Sequence, residues 1–197
     1  EFDLESIKNI TTSDYFKKMT LELNILKNYE RQNIVENPKI INTAIKAQDN
    51  YSKGFDMLIS ASSTDKLIDA RTEENIFTDN STFTEIWHFV KKDQKYLLDG
   101  ISQTTEDSSK YDASINDFAK SKGFYYDPDF GWLMMPTRGA IFGAAAFGKA
   151  DINNHVVGYY KNKIVEFYSY EPTAGSGLKP FTVAQAILPK RYDNILV

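Results

Sequence analysis

The sequence contains no cysteine and only two histidines among its 197 residues. Without cysteine there are no disulfides, no thiolate catalysis and no cysteine-ligated zinc, while the cellular compartment stays undetermined. A G-x-S-x-G nucleophile motif is also missing, so few residues remain that could carry out catalysis. We therefore expect a protein that is not an enzyme.

A basic surface is lacking as well. The net charge is −4, and no stripe of Lys and Arg interleaves with aromatic residues, so we expect no nucleic-acid partner. The longest apolar run, residues 140–147, is far shorter than the ~20 residues that span a bilayer. No signal-peptide pattern is present at the start, which predicts a soluble region. The sequence begins at Glu1 without methionine and ends on apolar residues, so we expect it to be part of a longer chain. Whether an anchor or signal precedes Glu1 is left open.

What the sequence does contain is 42% hydrophobic and 14% aromatic residues, enough for one or two globular domains. Residues 13–30 have the period of an amphipathic helix capped by Thr12 or Ser13. A second short helical segment is predicted over 31–37. Pro38 should end it and hold Asn37 extended. The apolar positions of the first helix are Phe16, Met19, Leu23 and Leu26.

Strand-like alternation follows the helical region. Residues 41–48 and 55–61 alternate about a polar turn, which predicts a half-buried hairpin. Residues 83–90 and 96–101 predict a second hairpin, with its turn in 91–95. Helices followed by an antiparallel sheet indicate the α+β class.

Residues 84–103, TEIWHFVKKDQKYLLDGISQ, resemble the closing hairpin of the TIM-forty-four-like domain. That domain occurs in a mitochondrial inner-membrane import translocase subunit and in bacterial relatives. Glu85, Trp87 and Phe89 match its first strand, residues 98–101 match its second, and Tyr96 stands where the family usually has tryptophan. The helix pair, residues 33–40 and the two strands also agree, so the resemblance covers residues 5–105.

The resemblance implies a cone-like fold similar to nuclear transport factor two, with N-terminal helices packed on a curved antiparallel sheet and a pocket between them. It also implies membrane association, binding of apolar ligands and protein docking, with no general catalytic set.

A boundary is predicted after this region. The first domain covers residues 1–105 and is followed by a polar linker, 106–114. A smaller β-rich α+β domain covers residues 115–197, and whether it is complete at its C-terminus is left open. In the second domain, Ser114 with Asp117 suggests a capping box for a short helix that Gly123 ends. A hairpin turning at residues 161–162 and a strand from Pro180 onward should follow.

Two apolar sets are candidate binding sites. Strand alternation and helix period predict a ligand pocket for lipid tails or a partner's apolar side chain. Residues 131–148 favour the core of the second domain, with an adaptable apolar surface for a membrane or partner as the alternative. The pocket comprises Phe16, Met19, Leu23, Phe83, Glu85, Trp87 and Phe89, and the docking surface comprises Trp132, Met134, Met135, Phe142 and Phe147.

The remaining motifs have simpler explanations. Residues 143–150, GAAAFGKA, approximate a phosphate-binding loop, but Ala150 replaces the magnesium-binding hydroxyl, so we expect no nucleotide. Residues 151–155, including His155, predict a polar turn rather than a metal loop. Asp127 and Asp129, either side of a proline, predict a surface turn rather than an acid–base pair. We expect neither a metal nor a cofactor.

His88 is the remaining candidate for chemistry, as a general base. Alternation places Glu85, the carboxylate of the same strand, on the opposite side of the sheet with Trp87, which favours a structural histidine. The sequence as a whole therefore predicts a non-enzymatic, membrane-proximal binding or scaffold module. The alternative is a small-molecule-binding or enzymatic protein that uses His88 and Glu85.

Overall fold

A computed structural model describes residues 4–46, 52–104, 111–127, 152–170 and 179–188. Contacts between residues divide the chain into two compact units, Glu1–Glu106 and Asp107–Val197. Both units combine helix with antiparallel sheet, so the coarse α+β assignment holds.

A short 3-10 helix at Glu5–Ile7 precedes the predicted helix, α1, which spans Ser13–Asn28. Thr12 is its N-cap, and the Thr12 hydroxyl accepts a hydrogen bond from the backbone of Tyr15 at 3.3 Å. The backbone N–H of Thr12 also donates to the carbonyl of Leu98 at 2.9 Å. The bond to Leu98 joins the start of α1 to the last strand of the same unit.

The predicted second helix over 31–37 is wrong, because these residues begin strand β1, Arg31–Ile45. They pair antiparallel with the end of β2, Gly54–Asp69, in a register that aligns Arg31 with Asp69. Asn37 is not extended but has φ 52°, a left-handed conformation that asparagine tolerates well. Pro38 has no N–H to donate, and the register shifts between Glu36 and Lys39.

Pairing in the predicted first hairpin is confirmed, since Ile45 lies opposite Met57. Burial differs between the two strands. From Asn37 onward β1 is exposed, whereas Ile59 and Ala61 of β2 are buried. A second register shift lies between Ile40 and Asn42, which interrupts the alternation read from the sequence. The hairpin is therefore buried mainly along β2.

The second predicted hairpin is confirmed as β4, Thr82–Lys92, and β5, Lys95–Gln103. Asp93 and Gln94 form its turn with φ of 47° and 66°, the left-handed conformations of a tight two-residue hairpin turn. A short strand that the sequence did not predict, β3 at Asn75–Asp79, pairs with the end of β2.

The strands of the first unit form one antiparallel sheet in the order β1-β2-β4-β5, with β3 beside β2. Contacts link α1 to β1 and β5, which are the first and last strands of that order. Leu21, Ile25 and Leu26 of α1 are buried, and so is Leu67 of β2. The cone shape expected from the resemblance stays a prediction.

The second unit begins with α2, Ala113–Lys122. Its N-cap is Asp112, whose carboxylate accepts hydrogen bonds from the backbone of Ser114 and Ile115, so the predicted cap at Ser114 is wrong. A carboxylate at this position also interacts favourably with the helix dipole. Gly123 ends the helix with φ 68°, as predicted.

A four-stranded antiparallel sheet in the order β6-β7-β8-β9 completes the described part of the second unit. The predicted turn at residues 161–162 is confirmed, with φ of 48° and 61°. His155 lies within a strand that shifts register between Asn153 and Val156, so the predicted polar turn is wrong. The strands are β6 Tyr125–Asp127, β7 Ile152–Tyr160, β8 Lys163–Tyr170 and β9 Phe181–Ala186.

Candidate functional site

One face of the first sheet carries the strand residues predicted to line a pocket. Alternation along β4 puts Phe83, Glu85, Trp87 and Phe89 on the same side, and Phe55 of β2 lies opposite Phe89. We call this side the aromatic face. The opposite side, which carries His88, is called the histidine face.

The aromatic face has a continuous row of four rings. Ring centroids are 6.5 Å apart between Trp87 and Phe89, and 5.0 Å apart between Phe89 and Phe55. Tyr96 of β5 completes the row, edge-on to Phe55 at 5.0 Å. Trp87, Phe89 and Phe55 are half-buried and Tyr96 is exposed, so the row remains accessible to solvent. We call these four residues the aromatic row.

The two ends of the aromatic row have opposite charge. At one end the Glu85 carboxylate accepts hydrogen bonds from the indole of Trp87 at 2.8 Å and from the amide of Gln103 at 2.7 Å. At the other end the ammonium group of Lys91 lies 5.9 Å from the ring centroid of Tyr96. Lys91 is exposed in the hairpin tip, as are Lys92 and Lys95. These three lysines outnumber the neighbouring acid, Asp93, so the tip carries net positive charge.

Tyr15 of α1 is half-buried and is affected by a charge on β4. Burial raises the pKa of its hydroxyl above the ordinary value of 10.0, and the charges of Glu22 and Glu85 raise it further. Since Glu85 belongs to β4, its effect on the pKa of Tyr15 indicates that this tyrosine of α1 lies near that strand.

The helix residues of the predicted pocket are less buried than their neighbours. Phe16, Met19 and Leu23 are half-buried, while Leu21 and Ile25 are almost fully buried. At about 100° per residue, Leu21 lies roughly 140° around the helix from Phe16. The sequence pattern did not single out this second apolar stripe. That Phe16, Met19 and Leu23 line a pocket stays a prediction.

His88 lies on the histidine face, opposite Trp87, as predicted. Its Nδ1 is 2.9 Å from Oδ1 of Asp56, and its Nε2 is 2.9 Å from Oγ of Ser102. Sequence reasoning missed both partners, because it considered only carboxylates within β4. His88 and Glu85 lie on opposite faces and therefore do not form a pair.

The second unit contains a buried polar cluster that sequence reasoning also missed. His155 is 2% exposed and Glu166 is 0% exposed, and their Nε2 and Oε2 atoms are 3.5 Å apart. Gln185, directly opposite Glu166 on β9, donates to the same carboxylate at 3.0 Å. The sequence did hold a signal for this cluster, because strand alternation in β8 puts Glu166 on the same face as Ile164, Tyr168 and Tyr170, which are all buried. Because His155 and Glu166 are almost completely buried and Gln185 is half-buried, the cluster favours a role in the core over a ligand site.

Several predicted features lie outside the described residues, including the docking surface, the GAAAFGKA segment and Asp129. Asp127 is described and ends β6 opposite His155. Among the residues that are described, no group of three or more acidic or histidine side chains is arranged to hold a metal. No helix in those same ranges has the length and apolar character needed to cross a membrane.

No protein-family model matches the chain, and no curated protein matches its sequence. The resemblance of residues 5–105 to a TIM-forty-four-like domain therefore stays a prediction based on its motif.

Proposed function

We propose that the first unit is a non-enzymatic binding module whose aromatic row takes the acyl chain of an anionic amphiphile. The observation that carries this proposal is the row itself, four rings in sequence from Trp87 to Tyr96 that stay accessible to solvent. Accessible, contiguous apolar surface is typical of interaction sites. A membrane-proximal role for the protein fits such a ligand.

The energetics favour a chain over a compact ligand. Each buried methylene contributes about 0.8 kcal/mol, so eight methylenes contribute about 6 kcal/mol before the cost of association. That free energy corresponds to a Kd of tens of micromolar at best. An extended chain can contact successive rings along the row, whereas a compact ligand contacts one or two.

The charges at the two ends support one orientation. Lys91 beside Tyr96 attracts a carboxylate or phosphate headgroup, while Glu85 beside Trp87 repels it. The headgroup would then lie at the hairpin tip and the end of the chain near Trp87. The alternative occupant is an apolar side chain of a partner protein. Its binding would not require an anionic group near Lys91.

The experiment titrates laurate and its uncharged glycerol ester into the Trp132→Phe variant, in which Trp87 is the remaining tryptophan. Trp87 fluorescence should shift with both ligands. Lys91→Gln should weaken laurate binding two- to fivefold, the range of an exposed charge interaction, without changing binding of the ester. Met19→Phe, which adds no second tryptophan, should reduce the shift for both ligands by filling part of the proposed pocket.

Lys39→Gln is the matched control, since Lys39 is exposed on β1 and aligned with Ser62 of the histidine face. It should leave both titrations unchanged. A spectrum that does not respond to millimolar lipid while the protein stays folded would contradict the proposal and favour a protein partner. Equal effects of the two lysine substitutions would contradict the orientation.

A further inference from the structure

The histidine face aligns a carboxylate, an imidazole and a hydroxyl across three adjacent strands. Asp56 is on β2, His88 is directly opposite it on β4, and Ser102 is on β5. Asp56 Oδ1 to His88 Nδ1 and His88 Nε2 to Ser102 Oγ are both 2.9 Å. Both ring nitrogens are therefore engaged, which fixes the orientation of the imidazole.

The register of β5 explains how the ring reaches Ser102. Gly100, and not Ser102, is the residue directly opposite His88. A Cβ atom at Gly100 would lie 3.8 Å from Cδ2 of His88, so the ring occupies the space above this glycine. Ser102 is two residues further along the same face, where the imidazole meets its hydroxyl.

The hydrogen-bonding capacities of the groups assign the protons. An ionised carboxylate only accepts, so Nδ1 of His88 carries the proton that it donates to Asp56. In the neutral imidazole Nε2 is then an acceptor, and the Ser102 hydroxyl donates to it. In this arrangement a histidine can remove a serine proton while a carboxylate holds the required tautomer.

We infer that Ser102 is an activated nucleophile that accepts an acyl group from small esters with good leaving groups. The Ser102 oxygen attacks the ester carbonyl carbon, and its proton passes to Nε2 of His88. The bond between the carbonyl carbon and the leaving oxygen then breaks, and that oxygen takes the proton from His88. The products are acyl-Ser102 and the free alcohol, so the step as inferred acylates each chain once and is not a catalytic turnover.

Solvent can reach this site. The side chain of His88 is 40% exposed and that of Asp56 is 28% exposed, so a small ester can approach the line of groups. The site is on the opposite face from the aromatic row, and the inference does not depend on the proposed binding function.

The same face provides an internal control. The hydroxyl groups of Ser60 and Thr84 are 3.0 Å apart and half-buried like Ser102, in a pair that contains no imidazole. Ser60 therefore reports the reactivity of a serine that this sheet face holds without a base.

The test treats the full chain with p-nitrophenyl acetate and measures acetylation at each serine by peptide mass spectrometry. Ser102 should be acetylated at least roughly a hundredfold faster than Ser60, the lower range of a general-base contribution. His88→Gln should remove that difference, and Ser60→Ala should leave Ser102 acetylation unchanged. Circular dichroism checks that each variant is folded.

Asp56 is a positioning residue that acts through His88. Its test therefore measures which nitrogen of the His88 imidazole carries the proton. Nitrogen NMR shifts of His88 should report a protonated Nδ1 in the wild-type chain and a loss of that preference in Asp56→Asn, with slower Ser102 acetylation. If Ser102 reacts no faster than Ser60 in the wild-type chain, the inference is wrong and the three groups are a structural polar row. That comparison within one molecule decides the question even where a variant fails to fold.

Discussion

The indole Nε1 of Trp87 donates a 2.8 Å hydrogen bond to Oε2 of Glu85, two residues earlier on the same strand face. The other oxygen of that carboxylate accepts from Gln103 on the neighbouring strand. One half-buried carboxylate thus joins β4 to β5 and fixes the indole at one end of the aromatic row.

Replacing Glu85 tests how much this bond contributes to stability. Glu85→Ala leaves the Trp87 and Gln103 donors without this acceptor, and we expect the free energy of unfolding to fall by about 1–2 kcal/mol. Glu85→Gln keeps an acceptor oxygen for one of the two donors and should cost about half as much. Urea unfolding measures both variants. Equal stability of Glu85→Ala and the wild-type chain would show that water replaces the carboxylate at no cost.

Local features of the fold could be predicted from the sequence because they depend on neighbouring residues. Alternation predicted the hairpin pairing of β4 with β5 and located Trp87 and His88 on opposite faces. The turn at 161–162 was likewise predictable, because lysine and asparagine there separate two clear strand patterns.

Features that depend on pairing between distant strands could not be predicted in this way. The end of β2 pairs with β3, which leaves the beginning of β2 to pair with β4 and brings Asp56 opposite His88. Nothing within β4 indicates that register. Similarly, residues 31–37 were predicted helical because local propensity is weak there, and pairing with the end of β2 decides their conformation.

Tyr168 should make the second unit sensitive to alkaline pH. Burial, and to a lesser degree the charge of Glu166, raises the pKa of Tyr168 from 10.0 to about 12. Between these values the unfolded chain loses a proton that the folded chain retains, so stability is complete below pH 10 and falls as pH rises toward 12. In Tyr168→Phe the part of this loss that Tyr168 causes should disappear.

The measurement compares urea unfolding of the wild-type chain and Tyr168→Phe at increasing pH. The variant should lose less stability above pH 10, because phenylalanine has no proton to release. Tyr160→Phe is the matched control, since Tyr160 is 58% exposed on the adjacent strand, and its curve should run parallel to that of the wild-type chain. Parallel curves for Tyr168→Phe would contradict the prediction.

Gly158 of β7 has no side chain, and the ring of Phe124 packs directly against its backbone. A Cβ atom at this position would lie 2.6 Å from Cγ and 2.8 Å from Cε1 of Phe124. Phe124 cannot move freely, because its ring stacks on Phe167 at 6.3 Å between centroids, and Phe118 contacts Phe167 edge-on at 6.1 Å. We therefore expect Gly158→Ala to lower the free energy of unfolding by about 1–3 kcal/mol.

Gly100→Ala is the matched control, because the nearest atom to its new Cβ, Cδ2 of His88, is at an ordinary contact distance of 3.8 Å. Its stability should stay within about 0.5 kcal/mol of wild type, since the methyl group also restricts the unfolded chain. A double-mutant cycle with Phe124→Ala identifies the cause in urea unfolding. If the ring causes the cost, Gly158→Ala should cost far less once the ring is removed. An unchanged cost would mean that the backbone at Gly158, rather than Phe124, requires glycine.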